Sequence, residues 1–130
     1  MEEDQNKTKG RAFYDLEVWK KARELKNKIL ELITHFPSEE KFGLSDQMKR
    51  ASRSIPACIA EGHGRFTYKD QVHFCIIARG SSSELLNHLI DAYDQKYISK
   101  EVLQEYQLRI EEMQKMLNGY IAYLRKLGAG

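Results

Sequence analysis

A heptad repeat of apolar residues runs through the last third of the chain. Its members recur in alternating steps of three and four: Leu103, Tyr106, Ile110, Met113, Leu117, Tyr120, Leu124 and Leu127. This spacing places them along one side of an α-helix and is typical of helices that pack side by side. The predicted helix begins after Ser99 and ends near Leu127, so it is about 40 Å long at about 1.5 Å per residue. Such a seam must be covered by other long helices of the chain.

The segment before Pro37 shows the same helical periodicity. A first helix is predicted from about Leu16 to Phe36, with Asp15 as its N-cap. Pro37 should stop it, because the residue before a proline is pushed out of the helical region. The apolar stripe of this helix contains Trp19, Ala22, Leu25, Ile29, Leu32 and Phe36.

A second helix is predicted from about Ser45 to Glu61, with Ser45 as its N-cap. Its apolar face consists of Leu44, Met48, Ala51, Ile55 and Ile59. Pro56 lies inside this helix and lacks an N–H, so a kink is predicted there. Gly62 and Gly64 are predicted to end the helix.

A third helix should start after Thr67, a suitable N-cap, with Asp70 three residues on in an arrangement that resembles a capping box. Its seam contains Cys75, Ala78, Ser82, Leu85, Leu89 and Ala92. Cys75 and the chain's other cysteine, Cys58, both stand among apolar residues. Because a free cysteine behaves as a small hydrophobe, both are predicted to be buried, reduced thiols.

The connections between the four predicted helices are short, which favours antiparallel neighbours. The sequence therefore predicts an all-α protein, an antiparallel up-down-up-down four-helix bundle over residues 13–127. A length of 130 residues suits one domain. Residues 1–12 are polar and are predicted to form a disordered tail. The chain shows neither a signal peptide nor a stretch of ~20 apolar residues, so we expect a cytoplasmic protein without membrane contact.

Several apolar residues fall outside the predicted stripes. On the first and third helices these are Val18, Leu30, Ile33, Phe74, Ile76 and Ile77. A helix that is apolar on more than one side must be buried on more than one side. A second burial surface beyond the monomer core is therefore predicted, and with it self-association.

The balance of 21 Lys and Arg against 19 Asp and Glu says little about partners, but the distribution of charge says more. Basic residues concentrate in the first two-thirds of the chain, and the candidate nucleic-acid-binding residues are Lys20, Lys21, Arg23, Lys26, Lys49, Arg50, Arg53, Arg65 and Lys69. Such a cluster could neutralise phosphates and release counterions. It could equally be a solvated face with local ion pairs, for example Asp46 with Arg50. Both interpretations stay open on the residues alone.

Catalytic and metal-binding patterns are weak. Glu84 and His88 form one carboxylate–histidine pair at i, i+4, whereas di-iron bundles use Glu-x-x-His on two helices. The chain has no HExxH or CxxC spacing and no phosphate-binding loop, and nothing links its histidines to its cysteines. We therefore expect no enzymatic activity, no metal and no cofactor.

Several segments together carry a resemblance to a known family. They are FYDLEVW at 13–19, FP at 36–37, FGL at 42–44, QMKRA at 47–51, SIPACIAEGHGR at 54–65, FCIIARGSSSEL at 74–85 and YI at 97–98. The chain resembles the small bacterial bundle proteins encoded in intervening sequences of 23S ribosomal RNA genes, the S23 ribosomal protein family. It departs from the usual pattern at Cys58, where the family often has Asn, and at His63, where it often has an aromatic residue.

The resemblance implies an antiparallel four-helix bundle that assembles as a homopentamer. The family is similar to the accessory variability proteins of diversity-generating retroelements, which are basic pentameric bundles that bind a reverse transcriptase and nucleic acid. The resemblance therefore implies self-association, an RNA or DNA partner and a reverse transcriptase as a further candidate partner. It carries no catalytic residues.

Two interpretations of the segment 54–65 follow. In one, Pro56, Gly62 and Gly64 shape a kink and a turn, which an ion pair of Glu61 with Arg65 or Arg53 stabilises. In the other, the nearby basic residues face nucleic acid, and a ring of subunits multiplies their potential. We expect such binding to be electrostatic and independent of sequence, because no array of exposed aromatic residues is predicted. The alternative function is a protein-protein interaction scaffold without nucleic-acid contact.

Overall fold

The computed structural model describes residues 12–129, which form four α-helices and no strand. The helices are α1 (Glu17–Leu32), α2 (Leu44–His63), α3 (Tyr68–Asp94) and α4 (Lys100–Ala129). Short 3-10 turns lie at Phe13–Asp15, Ile33–His35 and Ser38–Glu40. The predicted all-α four-helix bundle is confirmed. The predicted disordered tail lies, except for Ala12, outside the described residues.

Polar contacts between α3 and α4 fix how these two helices lie against each other. The Arg79 guanidinium donates to Asn118 Oδ1 at 2.8 Å. Further along α3, Ser82 Oγ accepts from Gln114 Nε2 at 2.7 Å. The α3 partners advance along the chain while the α4 partners recede, so α3 and α4 run in opposite directions.

Contacts between α1 and α4 follow the same order. Lys21 Nζ lies 2.9 Å from Glu112 Oε1, and the Tyr106 hydroxyl donates to the Lys28 carbonyl at 3.2 Å. These two helices therefore also run in opposite directions, and α1 closes the bundle against α4.

The predicted stripes of α2 and α3 lie in the core at every position. Among the largest fully buried side chains are Ile29, Met48, Ile55, Ile59, Leu85, Leu89, Ile110, Met113, Leu117 and Leu124. The predicted seam of α4 differs at one step, where Ile121 is buried and the predicted residue Tyr120 is only partly buried. Cys75 is buried and Cys58 half-buried, both as free thiols. Burial raises the pKa of the Cys75 thiol to about 11.

Two residues assigned to a second apolar surface belong instead to the core of the single chain. Val18 is 4% exposed and Ile33 is 9% exposed. Val18 lies one turn before Ala22, and Ile33 lies one turn after Ile29, so both extend the buried side of α1. By contrast, Ile76 and Ile77 on α3 are exposed to 36% and 39%.

The predicted N-caps of the first two helices are wrong. Asp15 lies in a 3-10 turn and accepts from the Ala12 N–H at 3.4 Å, one turn before α1. Ser45 lies inside α2, whose first N–H, that of Leu44, donates to Glu40 Oε1 at 2.9 Å. The Thr67 cap of α3 is present, since its hydroxyl accepts from the Asp70 N–H at 3.1 Å.

The helix containing Pro56 continues past its predicted end at Glu61 to His63. Gly62 is buried inside it, so the prediction that Gly62 ends the helix is wrong. A Cβ at Gly62 would lie 2.8 Å from the Cβ of Phe74, so this glycine serves the close approach of α3. Gly64 is the C-cap, as predicted. The kink at Pro56 stays a prediction.

Candidate nucleic-acid interface

The nine predicted basic residues do not form one surface. Four of them make ion pairs with nearby carboxylates: Lys20, Lys21, Arg50 and Arg65. The other five make no ion pair within residues 12–129: Arg23, Lys26, Lys49, Arg53 and Lys69. A cation already held by a carboxylate has less to gain from a phosphate, so this division separates weak candidates from strong ones.

The ion pairs expected from the spacing are present. Arg50 Nε lies 2.9 Å from Asp46 Oδ2, and Arg65 Nη2 lies 3.0 Å from Glu61 Oε2. The Arg65 guanidinium also lies over the ring of Phe74 at 4.6 Å from its centroid. Arg65 therefore ties the end of α2 to α3.

Lys21 joins two helices. Its ammonium is hydrogen-bonded to Glu112, and this bond is the largest of the effects that raise the pKa of Lys21. The same hydrogen bond is the first cause that lowers the pKa of Glu112. Lys21 thus holds α1 against α4 and is a poor candidate for contact with a ligand.

Lys49 and Arg53 converge with Lys41 on one groove, which we call the basic groove and define by these three residues. It has a volume of about 500 Å³. Its remaining lining residues come from the end of α1, the following loop and α2: Leu30, Ile33, Thr34, Phe36, Pro37, Ser38 and Ser45. Among residues 12–129 no acidic side chain lines this groove, so three basic residues give a partly apolar cleft a positive lining.

A second groove, on α1, has mixed charge. Lys20, Arg23 and Lys28 line it together with Glu24 and Glu31. The carboxylates offset much of the positive potential there. The predicted α1 residues therefore make a weaker anion site than the basic groove.

Lys69 lies at the opposite end of the bundle from the basic groove. It lines a groove of about 670 Å³, the end groove, together with Val72, Ile76, Leu124 and Arg125. Phe66 also borders this groove, and its side chain is 100% exposed.

Sequence reasoning missed Lys41, Phe66 and Arg125 as site residues. Arg125 is 56 residues from Lys69 in sequence, so only the packing of α3 and α4 brings them together. Lys41 lies in the loop before α2, and the groove that it shares with Lys49 and Arg53 is formed only when α1 packs against α2. Phe66 could have been noticed from its position between Arg65 and Lys69. Tyr93, which follows Ala92 of the α3 seam, is 38% exposed.

Within residues 12–129, no group of three or more His, Cys, Asp or Glu residues is placed to hold a metal ion. His88 and Glu84 form a single contact of 3.3 Å. In the same part of the chain, no helix has the length and apolar character needed to cross a membrane.

The fold places the chain among small helical bundles of known structure. One solved relative is a protein of unknown function from the S23 ribosomal protein family of Bacteroides thetaiotaomicron VPI-5482. It superposes with a TM-score of 0.75 at 26% identity, covering 81% of this chain and 95% of its own. A comparison with curated proteins gave no match.

A sequence model of one family matches residues 14–119 and is described as 23S rRNA-intervening sequence protein. The matched range spans all of α1, α2 and α3 and most of α4. The chain belongs to this 23S rRNA-intervening sequence protein family.

Proposed function

We propose that this chain is a non-enzymatic, homo-oligomeric bundle that binds nucleic acid through phosphate contacts at the basic groove. The observation that supports this most directly is the convergence of Lys41, Lys49 and Arg53 on one cleft without an acidic lining residue. A phosphate that displaces counterions from such a cleft gains binding free energy largely independent of base sequence.

Self-association would multiply this modest charge. An uncharged stripe of exposed residues follows steps of three and four along α3: Gly80, Ser83, Asn87 and Ile90. This spacing is that of a helix-packing seam, and the small residues Gly80 and Ser83 allow close approach. A ring of subunits would then repeat the basic groove and add the potentials. The resemblance to pentameric relatives makes five the proposed number.

The family name supports a role linked to ribosomal RNA genes in the cytoplasm. The resemblance to retroelement accessory proteins adds a reverse transcriptase as a proposed protein partner. Neither role needs a catalytic residue, since a bundle can position a nucleic acid for another protein.

Fluorescence anisotropy with single-stranded RNA, structured RNA and duplex DNA, at several salt concentrations, tests the proposal. Replacing both Lys49 and Arg53 with Gln should reduce the slope of log K against log salt by roughly 1.4 for single strands and 1.8 for duplex DNA. The matched control, Lys20→Gln with Arg50→Gln, removes two ion-paired cations and should change the slope less. No binding to any of these nucleic acids at low salt would favour the scaffold function instead.

A further inference from the structure

Phe66 is an aromatic side chain that the fold holds in water. The residue before it, Arg65, is fixed through both its N–H and its carbonyl. The Arg65 N–H donates to the Gly62 carbonyl at 3.0 Å, and Gln71 Nε2 donates to the Arg65 carbonyl at 3.1 Å. A ring that is fully exposed on an ordered turn contributes nothing to the core, although burying a phenylalanine stabilises a protein by about 1.5–3 kcal/mol.

The end groove beside this ring has an apolar floor and a positive rim. Val72, Ile76 and Leu124 supply the apolar contacts. Lys69 from α3 and Arg125 from α4 bring positive charge, and no acidic residue of the described part of the chain lines the groove. Neither cation makes an ion pair within residues 12–129.

A ligand that matches this surface has a flat apolar part and an anion close to it. An unpaired nucleobase with its own phosphate has both, whereas a base inside a duplex keeps both of its faces in the stack. The volume of about 670 Å³ is ample for one base and its sugar. Aromatic side chains beside cations are the common means by which proteins hold single strands.

We propose that the end groove is a subsite for an unpaired base of single-stranded nucleic acid, which stacks on Phe66 while Lys69 and Arg125 contact the adjacent phosphate. The proposal rests on the proposed function, because it takes the partner to be nucleic acid. It adds a preference for single strands to the binding at the basic groove. It also gives one exposed aromatic residue a role, where the sequence predicted no array of them.

Charge disfavours a second copy of the chain that binds at this groove across a two-fold axis. A two-fold symmetric contact through the end groove would bring the same surface from both copies together. Lys69 and Arg125 of one copy would then face the same cations of the other with no acidic lining residue between them. A polyanion has the complementary charge.

Anisotropy with a labelled single-stranded oligonucleotide, the same oligonucleotide with abasic sites, and the corresponding duplex tests the subsite. The wild type should bind the intact single strand at least about fivefold more tightly than the abasic strand, the lower limit expected for one stacked base. Phe66→Ala should remove this preference and leave duplex binding unchanged, and Phe66→Tyr should retain it.

Phe42→Ala is the matched control. Phe42 is also an exposed phenylalanine, 87% accessible and beside Lys41, but it does not line the end groove. Its loss should leave the preference for intact bases in place. Equal losses in Phe42→Ala and Phe66→Ala, or no loss in Phe66→Ala, would overturn the subsite while the basic groove still bound phosphate. Failure of the wild type to bind any strand would instead reject the proposed function itself. A lower mass of Phe66→Ala in light scattering would show that Phe66 is a contact between copies.

Discussion

Gly62 is the position where α2 and α3 have no room for a side chain. A Cβ there would lie 2.8 Å from Phe74 Cβ and 3.1 Å from the Gln71 carbonyl oxygen. Neither neighbour is the flexible end of a side chain, so the helices would have to separate. Gly62→Ala should therefore destabilise the fold by about 1–3 kcal/mol, the usual cost of overpacking. Urea unfolding followed by circular dichroism measures this.

Gly119→Ala is the control for that measurement. Gly119 lies inside α4, and a Cβ there would meet nothing within 4 Å. The same substitution should stabilise the protein at this site by about 0.5–1 kcal/mol, because alanine favours helix over glycine. Equal effects at the two sites would mean that the close approach of α3 does not exclude a side chain at position 62.

The sequence alone could not distinguish these roles of Gly62. Its position before His63 and Gly64 is typical of a helix end, and that interpretation was wrong by only a few residues. What decides the outcome is Phe74, which lies on another helix. Local propensity contains no information about which neighbour approaches.

The helix faces were predictable because burial follows a single period, and Met48, Ile55 and Ile59 are all fully buried as expected. The ends of the helices were less predictable than their faces. A cap is one hydrogen bond, and Glu40 provides it to α2 from outside the helix. Sequence patterns favour Ser45, because a serine near the start of a helix can accept from a first-turn N–H. The helix instead begins one residue earlier, and its first N–H, that of Leu44, is capped by a glutamate four residues before it.

Glu40 also links two loops and makes the stability of the bundle depend on pH. Its Oε1 accepts from the Leu44 N–H, and its Oε2 accepts from the Tyr97 hydroxyl at 2.8 Å. The hydrogen bond from the Leu44 backbone N–H is the largest cause that lowers the pKa of Glu40, and the hydrogen bond from the Tyr97 hydroxyl is the second. A carboxyl group whose pKa is lower in the folded state stabilises the protein above its unfolded pKa, and this contribution is lost as pH falls through the folded value.

Glu40→Gln should therefore lower the Tm at neutral pH and make the Tm fall less steeply on acidification. Thermal unfolding measured at several pH values from neutral to acidic gives both results. Glu39→Gln is the control, since this neighbouring carboxylate makes no hydrogen bond within residues 12–129. An acid transition that is the same in the wild type and in Glu40→Gln would contradict the assigned role.

The candidate site was predictable in composition but not in arrangement. The sequence showed Lys49, Arg50 and Arg53 within one turn of α2. It could not show that Asp46 holds Arg50 while Lys49 and Arg53 turn toward Lys41. Ion pairing depends on which rotamers the neighbouring residues allow, and groove lining depends on the packing of α1 against α2. Both are properties of the assembled bundle.

We expect the bundle to assemble into a larger particle through the α3 stripe. The stripe runs from Gly80 to Ile90, and its four members are all uncharged. Leu108 on α4 is more exposed, at 66% against 45% for Ile90. Its neighbours one turn away include Glu105, Glu111 and Glu112, so it forms no continuous apolar seam.

Static light scattering at micromolar concentration should give the wild type a mass several times that of the 15.2 kDa chain. Ile90→Glu combined with Ser83→Glu places two charges in the stripe, and burying them without partners would be costly, so the mass should fall toward that of one chain. Leu108→Glu should leave the mass unchanged, although it adds a charge at a more exposed position. A wild-type mass of 15.2 kDa would refute self-association. Equal losses of mass in the stripe variant and in Leu108→Glu would show that a different surface joins the subunits.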